Sequence, residues 1–257
     1  MATLAPRASG VAHDDRFYFK LALAMALVIV AGFGVNIAMG RSTFAVPLVW
    51  HLHAVVFASW VGIFLAQTWF ATRGPMTLHR RLGWLACFWV VLMVMLGIAI
   101  TVAAVRRGTT PFFFQPQHFL IANPLGLLCF AGLTFAAVRM RRATDWHRRL
   151  QICGFVVLTG PGFGRLLPSP LLMPYAFEIA ATVGLLFLVP PMVREWRCDG
   201  RVHPAWGWGA GAIILTLLTA RVLTMSPVGD AIYASVVAGS PGAALLGMAF
   251  GPMPPGL

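Results

Sequence analysis

Charge spacing constrains this chain more than any motif does. Uncharged stretches occupy residues 21–39, 42–72, 82–105, 108–138, 150–164 and 202–220, each followed within two residues by an arginine. Residues 166–193 carry a single charge, Glu178. A helix needs about 20 residues to cross the hydrocarbon core of a bilayer. All seven stretches reach or approach that length; the fifth does so only with Arg165 at the interface, where a long basic side chain snorkels to water. The expected fold is therefore all-α: a polytopic membrane protein of about seven transmembrane helices. Residues 1–19 read as a cytoplasmic leader and 20–225 as the helical bundle. Residues 226–257, apolar but broken by Gly and Pro, read as an extracytoplasmic tail or a poor eighth span.

The basic residues also orient the chain. The N-terminus and the loops around Arg73, Arg139 and Arg194 hold fourteen Lys and Arg, whereas the loops around Arg41, Arg106 and Arg165 hold four. Basic residues accumulate on the cytoplasmic side, so the N-terminus is expected inside, in a bacterial-type inner membrane. The net charge of +12 follows from that asymmetry and implies no nucleic-acid partner. The first apolar run lacks the short apolar core and small-residue cleavage site of a signal peptide and reads as an anchor. Four cysteines, Cys87, Cys129, Cys153 and Cys198, form no metal spacing. The chain has no HExxH, GxSxG or P-loop.

Function is carried by an internal repeat. His51 opens one span and is followed 28 residues later by His79-Arg80-Arg81-Leu82; His118 opens another and is followed 29 residues later by His147-Arg148-Arg149-Leu150. Each unit enters from outside with a histidine near its outer end, turns through a basic loop, and returns with a histidine in its first turn. Spans two to five then form a four-helix core with two histidines at each end. Two haems, each ligated axially by imidazoles from facing helices, need that arrangement. His51 and His118 are the expected outer metal ligands, His79 and His147 the inner ones. His53 is an alternative to His51, because residues two apart point to nearly opposite sides of a helix. Arg80, Arg81, Arg148 and Arg149 are candidates for haem propionates or an anionic reductant. His13 and His203 read as incidental.

The segment Leu78-His79-Arg80-Arg81-Leu82-Gly83, with His51-Leu52-His53, His118 and His147, resembles the cytochrome b-561 family and uncharacterised bacterial membrane families with HLH and HRRLG elements. The resemblance covers roughly residues 45–165. It implies one or two b haems in helices two to five, electron transfer across or within the bilayer, and a quinol or small reductant as partner. The paired arginines after both inner histidines, the seventh span and the apolar tail depart from that pattern. The alternative is a non-redox transporter, or an accessory or assembly subunit of a membrane complex.

An intramembrane carboxylate needs a partner, a proton or water. Arg165 is the expected partner of Glu178, with a proton-acceptor role as the functional alternative. Gly160-Pro161-Gly162-Phe163-Gly164 is expected to kink or unwind the end of span five. Trp50, Trp60, Trp69, Trp84 and Trp89 read largely as an aromatic belt.

Overall fold

The computed structural model describes residues 8–252, with side chains from residue 16 onward; His13 lies outside the described side chains. Among the described residues there are helices and no strand. Six helices are long and apolar enough to cross a membrane, and exposed Leu27, Val55, Phe88, Met95, Leu215 and Val222 turn apolar surface outward. Such a surface suits lipid and not water. The chain is an all-α polytopic membrane protein.

Helix α1 is Ala8–Ala38, so much of the expected leader is helical. Helix α2 (Leu48–Thr72) starts after Pro47 and α3 (Met76–Arg107) after Pro75; α3 stops at Gly108, whose φ of 66° is left-handed. Helix α4 (Pro116–Arg139) begins with proline at its first position. These are the places where proline is tolerated and where a left-handed glycine ends a helix. Short loops make α2 to α5 antiparallel neighbours. They join through aromatic rings: Phe64 of α2 stacks on Phe155 at 3.9 Å, Trp60 meets Phe130 of α4 at 5.3 Å, and the Trp89 indole N–H donates to the Val56 carbonyl at 2.9 Å. Trp60 is thus a core residue, not part of a belt.

The fifth of the seven expected spans is not among those six helices, because it is broken into α5 (Thr144–Val157) and α6 (Gly160–Leu166). Pro161 lacks the N–H for an intrahelical bond, and the expected break falls there. Beyond it α6 packs on α1: a Cβ on Gly32 would strike the Gly162 carbonyl, and a Cβ on Gly162 would lie 3.0 Å from Ile29 Cα. Only glycines permit that approach. The next span runs through α7 (Ala176–Val183), a 3-10 segment (Gly184–Leu188) and α8 (Val189–Asp199). Pro190 and Pro191 follow the tightened segment directly and supply no N–H to its carbonyls. Helix α9 (Pro204–Thr224) is the last spanning helix.

The tail is not a span. Helix α10 (Pro227–Val237) has 11 residues, about 16 Å at 1.5 Å per residue, too short for a core of about 30 Å. It lies over the ends of α3, α4 and α9. Arg106 Nη1 donates to Val236 O at 2.5 Å, Gln117 Nε2 to Asp230 Oδ1 at 2.7 Å, and Gln115 Nε2 to Met248 O at 2.8 Å. That end of the bundle is called distal below; the end carrying His79 and His147 is called basic.

Candidate functional site

At the basic end two of the expected histidines meet. His79 sits in the first turn of α3 and His147 in the first turn of α5. Their ring centroids are 6.2 Å apart and their planes stand at 89°. His79 Nδ1 lies 3.2 Å from the Gln67 carbonyl of α2, and His147 Nδ1 lies 2.8 Å from the Ala137 carbonyl of α4. A carbonyl only accepts, so each Nδ1 carries the proton and donates. Each Nε2 keeps its lone pair, the tautomer a metal ligand needs and the backbone support such ligands commonly have. Both short loops enforce this: each helix reverses at the basic end, so its first-turn histidine reaches the last carbonyls of the helix before it.

The four arginines separate. Arg80 and Arg81 are exposed. The guanidinium of Arg148 lies 4.0 Å from the centre of the Tyr18 ring. Arg149, expected at a propionate, is buried instead against Glu195. Its Nε and Nη2 donate to Glu195 Oε1 at 2.8 and 2.7 Å, and the Trp206 indole N–H donates to the same oxygen at 2.9 Å. The backbone N–H of His203 donates to Glu195 Oε2 at 2.9 Å, and its Nδ1 accepts from Ala205 N at 3.2 Å. His203 is therefore the cap of α9, not an incidental residue; Pro204 after it, the favoured first residue of a helix, was the available signal. Glu195 was missed because it lies in a charged loop cluster where a solvated carboxylate is the ordinary expectation.

At the distal end the expected pairing of His118 with His51 is not formed. His118 is buried and turned from the four-helix core toward α7 and α9: Nδ1 lies 3.0 Å from Thr224 Oγ1 and Nε2 lies 3.3 Å from Glu178 Oε1. Thr224 Oγ1 already donates to the Ala220 carbonyl at 2.7 Å. It can only accept from Nδ1, which leaves the other nitrogen of a neutral His118 as a lone pair facing the carboxylate. Among the described residues no hydrogen bond, ion pair or ring contact joins His51 to His118. His53 stacks on Phe57 at 4.2 Å, and its Nδ1 is buried without a hydrogen-bond partner.

Glu178 does not pair with Arg165. Its partners are His118 and Arg221, whose Nη1 lies 3.4 Å from Oε1. Arg165 instead lies over the Phe33 ring at 4.0 Å and donates to the Pro161 carbonyl at 2.9 Å. The cause is the break at Pro161, which carries Arg165 toward α1. Arg221, read from the sequence only as the end of span seven, lies on the last turn of α9, one helical turn before Thr224. That spacing places both on the side facing α4 and α7.

Among the described residues no group of three or more His, Cys, Asp and Glu side chains is suited to hold a metal ion. The basic end brings two imidazoles together, each with its Nε2 unprotonated. Comparison of the chain with protein-family models, curated proteins and solved structures returns no match.

Proposed function

We propose that this protein is a b-type membrane cytochrome that holds one haem between His79 and His147 and carries electrons at one face of an inner membrane. The observation that carries the reading is the geometry of that pair. The two rings come from facing helices with their centres 6.2 Å apart, and each has its Nδ1 held by a carbonyl and its Nε2 free to bind a metal. Bound haem would supply a one-electron couple, its potential set by axial ligands and burial. His79 and His147 would hold it, while the Gln67 and Ala137 carbonyls keep both rings from turning. Arg80 and Arg81, exposed beside His79, would meet propionates or an anionic reductant. By the placement of basic residues this end faces the cytoplasm. The likeness to the cytochrome b-561 family is retained for the inner site alone, since His118 is engaged elsewhere.

The test is a dithionite-reduced minus oxidised spectrum of the purified protein, with haem quantified per chain. About one haem is expected, lost in both His79→Ala and His147→Ala. A colourless protein after expression with excess haem, or haem retained in both variants, would overturn the reading. A second reading, non-redox transport, is favoured by the charged group His118, Glu178 and Arg221 inside the bundle; a folded colourless protein would move it to first place.

A further inference from the structure

Helices α7 and α9 leave between them a cleft of about 320 Å³, open on its outer side. Its polar end is formed by Tyr175, Glu178 and Arg221; Thr182, Leu185, Ile214, Leu217 and Leu218 wall the rest. The polar end holds three charged or polar side chains that are ion-paired but not hydrogen-bonded to one another. Arg221 Nη1 and His118 Nε2 face Glu178 Oε1 at 3.4 and 3.3 Å, and neither they nor either Glu178 oxygen, all shielded from water, makes a hydrogen bond. Buried polar groups are normally satisfied, so three unsatisfied ones at the end of a cleft call for a ligand.

The chemistry of these groups selects its head. Glu178 has room for a hydrogen-bond donor and Arg221 for an acceptor, and the two charges, 3.4 Å apart, offset one another. An anionic head would gain from Arg221 and be repelled by Glu178. An ester or ketone oxygen only accepts. A hydroxyl does both, donating to the carboxylate and accepting from the guanidinium. Glu178 lines the cleft, and the last side-chain torsion of a Glu is broad, so a small rotation would turn a carboxylate oxygen toward it. A volume near 320 Å³ takes a ring or a small polyol and the start of a chain, the remainder lying among lipid tails.

We propose that the cleft between α7 and α9 binds a neutral, bilayer-soluble hydroxyl compound, its hydroxyl seated between Glu178 and Arg221. The site is separate from the histidine pair, and its test does not depend on haem. Saturable binding to the full chain in lipid nanodiscs is measured with two radiolabelled hydroxyl probes, monooleoylglycerol and decylubiquinol. Methyl oleate, which has no donor, and oleate, which is an anion, serve as comparators. At least one hydroxyl probe should bind at least tenfold more tightly than either comparator; which one binds identifies the source of the hydroxyl. Glu178→Leu should weaken it tenfold or more. Ile214→Trp, at a residue 46% exposed, fills the cleft without touching the charged groups and should do the same with the thermal transition unchanged. Failure of both hydroxyl probes, equal binding of methyl oleate, or undiminished binding by a folded Ile214→Trp protein would overturn the proposal.

Discussion

Glu195 and Arg149 form a buried, multiply hydrogen-bonded junction among the described residues, and its disruption is the sharpest test of the packing. Glu195 on α8 accepts two bonds from Arg149 of α5, one from Trp206 of α9, one from the His203 backbone and one from the Tyr18 hydroxyl of α1 at 3.3 Å. Both charged residues are 6% exposed. Removing one partner of a buried pair costs about 3–5 kcal/mol because the other charge is left unpaired. Glu195→Leu should reach that range, since Arg149 keeps only Asp145 nearby, 3.3 Å away and largely exposed. Arg149→Met should cost about 3 kcal/mol, because Trp206, Tyr18 and the His203 N–H still serve the carboxylate. The double variant has no orphaned charge and should lose less than Glu195→Leu alone, a coupling of about 3 kcal/mol or more. Detergent-micelle unfolding by graded addition of a denaturing surfactant, followed by tryptophan fluorescence, measures all three. Losses that simply add would refute the reasoning: the charges would then be screened, and the junction would be no more than a surface ion pair. Since Arg149 is committed to Glu195, folded Arg149→Met protein should also keep whatever haem the native chain binds.

Two further outcomes test local structure. His203 lies between α8 and α9, and burial, then the Arg149 charge, hold its imidazole below the ordinary pKa of 6.5. The unfolded chain therefore takes up a proton that the folded chain resists. Stability is full above about pH 6.5 and declines as pH falls through that value; His203→Asn keeps a capping acceptor and should flatten this dependence in a melting-temperature series. At the crossing of α1 and α6, Gly32→Ala should cost about 1–3 kcal/mol by overpacking, because its Cβ meets the Gly162 carbonyl. Gly34→Ala, with nothing within 4 Å, should leave the transition unmoved.

Span existence was legible because it rests on a long-range average: uncharged runs bounded by arginine need no tertiary knowledge. The break at Pro161 was legible for the same reason, as a local property of backbone chemistry. Side-chain partners were not. Arg165 is close to Glu178 in topology, but the partner chosen by the fold, Arg221, is 43 residues away in sequence. Nothing in the local pattern says which way α6 leans once its helix is broken. Arg149 misled for a different reason. It stands in the same repeat position as Arg81, yet Arg81 is exposed and Arg149 is buried, because α8 and α9 flank the second unit of the repeat and bring Glu195 and Trp206 to it.

The same asymmetry explains why the histidines of the two ends fare differently. At the basic end both units are intact: α2 hands to α3 and α4 to α5 through short loops, and in each the returning helix places a first-turn histidine on a carbonyl of its predecessor. At the distal end the units diverge. Helix α3 continues unbroken to Arg107, while α5 stops at Val157 and its continuation packs on α1. The distal part of α4 is then faced by α7 and α9, which bring Glu178, Arg221 and Thr224 to His118. The internal repeat therefore keeps its symmetry only where the helices keep theirs. Restoring an unbroken fifth helix is thus the change that bears on the distal site. Pro161→Ala, which removes the obstacle to an α-helical bond at that position, should draw Arg165 away from Phe33. The readout is bismaleimide crosslinking of paired Cys at Phe33 and Arg165, whose side chains meet in the native chain and whose replacement leaves both glycines in place, in a chain whose native cysteines are serine, with proline retained or replaced. Crosslinking that falls on replacement supports proline as the cause of the divergence. Undiminished crosslinking would mean that the glycine contact alone holds α6 against α1.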